Sequence, residues 1–288
     1  MKKFLVKLFT LLVATVMVLS MSACGEKIVK LKFTLSVYDI EEQTMVEETL
    51  TYNMHQSLAE TAVKEVKKLV EDGYFDNCVF YKQSKSNGVA VSTQLFFGGL
   101  NRVGTEITQN APVAIPDAEF EKNGVTGSNL INDVGYIGLW RTWDTTKSYS
   151  TSGYGKTIST MYMPTASLSS YNGNFCVFAK YASSDDLAII ENIIDLLATT
   201  DYVTEYTCYY SANDDGELID ANGEVLEFDE STGMLVSGAP VWNIVSSASF
   251  EEDKPENIYN NEDYTQYNEY TISVLNADKL VIKDIIVK

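Results

Sequence analysis

Residues Ile28–Val37 alternate, with Val29, Leu31, Phe33, Leu35 and Val37 on one face, which is the period of a half-buried strand. Ser57–Glu71 has the other period: Ala59, Ala62, Val63, Val66, Leu69 and Val70 share one helical face, and Gly73 ends the helix. Strand-like runs follow at Tyr74–Lys82 and Gln94–Phe97, the second leading into Gly98-Gly99. From 103 to 155 the pattern is loop-like, rich in Asn, Thr, Gly and Ser, with one apolar strand near Tyr136–Trp140. Thr157–Met163 and Asn174–Tyr181 are two more strands. Ser184-Asp185-Asp186 then caps a helix at Leu187–Leu197, its acids on the turn where the helix dipole favours them. Short runs at Tyr206–Tyr210, Glu224–Phe228 and Val241–Val245 lead to closing strands at Tyr270–Leu275 and Lys279–Val287. Two helices among many strands predict a mainly β chain, an antiparallel barrel with helices over its ends.

The first residues follow a different logic. Met1–Lys7 is basic, and Leu8–Leu19 is apolar apart from Thr10 and Thr15. That stretch is short for a membrane span and fits a secretory signal. Met21-Ser22-Ala23-Cys24 resembles the lipobox of bacterial lipoproteins, which implies cleavage before Cys24 and a diacylglyceryl group on its sulfur. An ordinary signal peptide cut after Ala23 is the alternative. The organisation expected is a signal at 1–23, an anchor and linker at 24–30 and a folded domain at 31–288. This puts the chain on the outer face of a bacterial cell membrane, held by lipid.

Charge narrows the function. The chain has 21 Lys plus Arg against 40 Asp plus Glu, a net −19, so a phosphate backbone would be repelled and no nucleic-acid partner is expected. Seventeen acids and a single base, Lys254, fall between Asp201 and Tyr270. Arg102 and Arg141 are the only arginines and His55 the only histidine, which leaves too little for a His-rich metal site or a His-based triad. No metal and no cofactor are expected. Past Cys24 three cysteines remain, Cys78, Cys176 and Cys208; a Cys78–Cys176 bridge and three buried thiols both stay open.

An ordered series of motifs resembles the cyclophilin-type peptidyl-prolyl isomerases. Ala59–Val63 and Leu69–Lys82, which reads LVEDGYFDNCVFYK, resemble that family's AP-x-TV helix and GYYDGT-x-FHR strand. Phe96-Phe97-Gly98-Gly99 resembles MIQGG; Glu119–Val125 and Gly135–Leu139 resemble the stretch leading into G-x-LSMA. Ser159–Met163 and Tyr171–Lys180 resemble SQFFI and LDGKYVVFGRV, and 271–287 the family's last strand. The resemblance implies a closed eight-stranded antiparallel β-barrel capped by two helices, with the acidic 200–270 segment inserted before the last strand. It also implies a monomer that acts on proline-containing segments of exported proteins.

Prolyl isomerisation needs no nucleophile. The amide resists rotation by about 18–20 kcal/mol, and an apolar pocket for the ring plus a donor to the imide nitrogen favours the twisted state. The resemblance puts Lys82 and Phe97 where the family has its catalytic Arg and Gln, and Phe80, Leu95, Tyr162, Tyr171, Phe175 and Trp140 around the substrate. Lysine keeps the charge of arginine without its planar fork. Two readings follow: an anchored isomerase with a divergent site that assists folding, or a cyclophilin-fold module that binds peptides without catalysing their isomerisation.

Overall fold

The computed structural model describes residues 26–86, 89–90, 93–115, 118–119, 129–143, 154–227, 241–259 and 269–288. The signal and Cys24 lie outside them, as does most of the Glu119–Val125 stretch. In chain order the elements begin with β1 (Ile28–Asp39), β2 (Thr44–His55), α1 (Glu60–Glu71), β3 (Tyr81–Ser86), β4 (Val89–Ala90) and β5 (Gln94–Phe97). Next come β6 (Leu100–Val103), β7 (Glu106–Gln109), β8 (Tyr136–Trp143), β9 (Tyr154–Pro164), β10 (Cys176–Tyr181) and α2 (Ser184–Ala198). The acidic segment supplies β11 (Val203–Tyr209), β12 (Ser211–Ala212), β13 (Leu218–Ile219), β14 (Asn243–Ser246) and α3 (Ser247–Glu252); β15 (Glu269–Leu275) and β16 (Leu280–Val287) finish the chain.

The chain is mainly β, with three α-helices among the described residues where the pattern predicted two; the third lies in the acidic segment. Twelve strands form one sheet in the order β14-β11-β15-β3-β5-β9-β8-β10-β2-β1-β16, with β4 paired to β3. That path is open. Although β15 and β16 are joined by only four residues, β15 ladders with β3 and β11, and β16 with β1. The expected closed eight-stranded barrel is therefore not what the ladder forms, and the sheet carries more strands than eight. The acidic segment accounts for part of the excess, since β11 and β14 extend the sheet past β15.

Local sequence explains most elements. Leu31, Phe33, Leu35 and Val37 of β1 are at most 1% exposed and face the core, as their alternation predicts. Leu50, Tyr52 and Met54 of β2 share that core. Helix α1 buries Ala62, Val63, Val66 and Leu69, worth about 1.5–3 kcal/mol for each larger side chain. No side chain of its own caps α1. Glu119 accepts from the Thr61 and Ala62 amides instead, at 2.6 and 3.3 Å, an anion on the positive end of the helix. Helix α2 is capped one residue ahead of the predicted Ser184: Ser183 accepts from the Asp186 amide.

Two strand boundaries differ from the pattern. Turns occupy Tyr74–Asn77, where Asn77 has φ 63°, and β3 begins only at Tyr81. It also continues past the predicted end at Lys82: β3 runs to Ser86 and pairs back with β4 through Lys85↔Ala90.

Cys78, Cys176 and Cys208 are buried thiols, and no Cys78–Cys176 bridge forms. Burial pushes the Cys78 and Cys208 thiols up from 9.0 to about 12, and the Tyr74 phenol from 10.0 to about 12. All three are held neutral by the fold. Their stabilisation is complete below the unfolded values and is lost as pH rises from about 9 towards about 12. Circular dichroism is expected to show cooperative alkaline unfolding between pH 9 and 12; a flat signal across that range would contradict the burial. Alkylation at pH 8, mapped by mass spectrometry, leaves these three thiols unmodified until denaturant is added.

Candidate functional site: an aromatic face on the sheet

Successive strand side chains leave on opposite faces, so β5 sorts its four residues into two pairs. Leu95 and Phe97 point into the main core. Phe97 is fully buried, with its ring 5.0 Å from Phe80, 5.4 Å from Phe33 and 5.5 Å from Phe75. Phe80 is 1% exposed in the same core. Phe80, Leu95 and Phe97 are thus core side chains rather than the groove residues the resemblance implied. On a period-2 element one residue of register exchanges one face for the other, so Phe97 joins the main core while its neighbour Phe96 joins a separate aromatic cluster.

The other face carries the site. Phe96 pairs across β5 and β3 with Tyr81, and across β5 and β9 with Tyr162; Tyr162 pairs in turn with Gly138 on β8. These residues form one row across four strands. Tyr81 and Phe96 stack at 5.4 Å. Trp140, two residues beyond Gly138, lies edge-on to Phe96 at 5.1 Å and stacks on Phe175 at the same distance. Tyr171 stacks on Phe175 at 4.5 Å and lies 6.0 Å from Tyr162. Trp140, Tyr162, Tyr171 and Phe175, four of the six substrate-binding candidates, therefore meet in one cluster, joined by Phe96 and Tyr81.

Polar contacts lock it. The Tyr162 hydroxyl donates to Asn132 Oδ1, and Asn132 Nδ2 donates to Asn172 Oδ1 at 2.9 Å. Gln94 Nε2 donates to the Tyr171 hydroxyl, and Arg141 Nη1 to the Asn174 carbonyl at 2.7 Å. Tyr162 and Phe175 are 0% and 1% exposed, so the position expected to receive a proline ring is filled by the protein's own rings.

Open space lies beside the cluster. A cavity of about 320 Å³ is lined by Tyr81, Gln83, Phe96, Trp140, Trp242, Tyr270 and six neighbours. Trp242 comes from the acidic segment and is rigidly held. Its ring stacks on Tyr210 at 3.9 Å and meets the Tyr270 ring edge-on at 4.6 Å, while its amide donates to Gln109 Oε1 at 2.7 Å. None of the twelve lining residues is charged, in a chain with 61 charged side chains by the count 21 + 40. Burial pushes the Tyr81 and Tyr270 phenols up, so both stay neutral. Lys82 stands between Tyr81 and Gln83, which both line the cavity, so alternation turns Lys82 to the other face; it pairs there with buried Ser273. Sequence reasoning missed Phe96, Gln83 and Trp242. Alternation through Gln94–Phe97 held the signal for Phe96; nothing local flags Trp242, which reaches the cavity through the insertion's fold.

Two glycines make the close packing possible. A Cβ on Gly138 would stand 2.4 Å from the Tyr162 ring, and one on Gly99 2.5 Å from the Tyr81 hydroxyl. Gly138→Ala is expected to push Tyr162 off the strand and cost about 1–3 kcal/mol by overpacking. In Gly138→Ala/Tyr162→Ala the two losses should be strongly non-additive. Thermal melts of the four proteins measure this, and simple additivity would show that the ring does not lie on Gly138.

No protein-family model and no curated protein matches the chain. Among solved structures it is similar to a cyclophilin type peptidyl-prolyl cis-trans isomerase of Cryptosporidium parvum, 13% identical, with TM-score 0.37 over 76% of this chain and 98% of that one. A structure of the Cryptosporidium parvum isomerase in the presence of the dipeptide Ala-Pro gives 14% identity and TM-score 0.34 over 75% and 98%. Superpositions this loose decide nothing about the site, whose reading rests on its own residues.

Proposed function

We propose that this chain is a cyclophilin-like, lipid-anchored binding protein. It holds proline-containing segments of exported proteins at the outer face of a bacterial membrane. The observation that carries the reading is the uncharged cavity beside the aromatic cluster, with Trp140 and Trp242 both in its lining. Extended chain rich in proline is already ordered, so its rings dock on aromatic walls at low entropic cost. A neutral lining suits segments without charge, since an unpaired charge taken from water into such a site is penalised heavily.

The second reading is isomerase activity. One observation favours it: Gln83 lines the same cavity and carries an amide N–H donor. In this reading Gln83 takes the part that the resemblance assigns to Lys82, and Phe97 takes none, being surrounded by core rings.

One panel of variants separates the readings. Truncating an interface tryptophan costs about 2 kcal/mol or more, roughly 30-fold in affinity. Trp140→Ala and Trp242→Ala should each weaken binding of a proline-rich peptide by that factor in calorimetry, while Lys82→Ala changes it less than twofold. A large loss in Lys82→Ala, with both Trp variants unaffected, would sink the assignment of this cavity. In a protease-coupled X–Pro assay the binding reading expects no rate beyond the uncatalysed one. A rate proportional to protein and abolished in Gln83→Ala would establish the second reading instead.

Anchoring rests on Cys24 after Met21-Ser22-Ala23. Cys24→Ser is expected to lose the acyl mass and leave the membrane fraction; an unchanged membrane association would remove the anchor.

A further inference from the structure

Where the sheet fails to close, between Asn77–Phe80 and the β15–β16 turn, there is a second cavity of about 220 Å³. Most of its lining is apolar: Val79, Phe80, Leu275, Leu280 and Ile282, with Val281 40% exposed at the surface. The one charged lining residue is Arg102, next to the turn of the β6–β7 hairpin. Its Nη2 donates to the Leu275 carbonyl, and no ion pair joins it to any carboxylate among the described residues. That is unusual in a chain with 40 acids and only two arginines. Asp278, on the adjoining turn, is 73% exposed and lies 3.5 Å from Lys279 instead. The guanidinium is half-buried, and the loss of water lowers its pKa. A partly desolvated cation with no carboxylate among the described residues beside it costs free energy that an incoming anion would recover in part.

We infer that Arg102 and this cavity form a binding site for a carboxylate carried on a short apolar chain. The guanidinium presents the planar fork that matches a carboxylate. Beyond it the space holds roughly seven groups of water size, enough for a chain of roughly five to seven carbons. The net charge of −19 does not forbid an anion here. At physiological salt, fields from exposed charges fade over about 8 Å, and the nearest cation dominates. Two sources carry this chemistry, a free short-chain fatty acid and the C-terminal leucine or isoleucine of a polypeptide.

Calorimetry on the full-length protein tests it with four probes: hexanoate, hexanamide, a tripeptide ending in leucine, and the same tripeptide amidated. Saturable binding is expected for at least one carboxylate, at least tenfold tighter than for its amide. Tighter binding of the tripeptide than of hexanoate identifies a chain terminus as the source, and the reverse a free acid. Arg102→Gln should lose at least tenfold for the carboxylate and nothing for the amide, and Arg102→Lys should keep part of the affinity. The acid-to-amide ratio is read on the parent protein, so the test stands even if a variant fails to fold. No saturable binding at the solubility limit, or amides that match the acids, overturns the inference.

Discussion

All four residues of the strand Gln94–Phe97 are buried, and the arrangement of the site depends on that fact. An antiparallel strand usually gives one face to the core and the other to water. Here the inner pair, Leu95 and Phe97, joins the main core, and the outer pair, Gln94 and Phe96, needs a second cover. The cover has two parts. Trp140 and the Tyr171–Phe175 segment close over Phe96 and Tyr162, and the acidic segment brings Trp242 and Tyr210 up beside them. A face made this way is rigid, because each ring packs on another ring or holds a side-chain amide. It is also confined to the margin where the two covers stop, which is where the cavity lies.

How much of this was legible depends on whether the signal was periodic. The strand β1, the helix α1 and the strands Tyr136–Trp143 and Cys176–Tyr181 announce themselves through alternation or 3.6-residue spacing. Strand β2 carries the same signal only in its second half, where Leu50, Tyr52 and Met54 alternate with Thr51 and Asn53; its first half holds Glu47, Glu48 and Thr49, and the whole pairs with β1 through Leu31↔Tyr52 and Phe33↔Leu50. Trp140, Tyr162, Tyr171 and Phe175 were named together from an ordered set of degenerate motifs, and the fold gathers the four rings into one cluster. Lys82 and Phe97 do not join that cluster. Their assignment needed the register of short strands next to a glycine pair, where one residue of slip reverses the face. Trp242 was out of reach for another reason: it lies more than 100 positions from Trp140, and only the pairing of β14 with β11 carries it to the sheet.

Charge and site are separated in this molecule. Acids crowd the segment that supplies Trp242, yet the cavity it walls has no charged lining residue, and the two arginines are engaged elsewhere. The acidic surface thus sets what the protein repels, while the cavity presents only rings and neutral donors.

That separation bears on catalysis. A stacked ring holds proline about equally in cis, trans and twisted forms, because the contact depends on the pyrrolidine faces and not on the amide torsion. Binding of that kind is uniform and leaves the barrier where it was. Acceleration requires a group whose interaction strengthens as resonance is lost, a donor aimed at the imide nitrogen in a dry site. Arginine does this with a fixed fork. In this cavity the neutral phenols of Tyr81 and Tyr270 and the amides of Gln83 and Gln109 are the polar groups best suited to donate. A neutral donor makes a hydrogen bond about half as strong as a charged one. With rings and neutral donors in the cavity lining and Lys82 on the other side of the strand, the proposed site would hold such segments more than turn them.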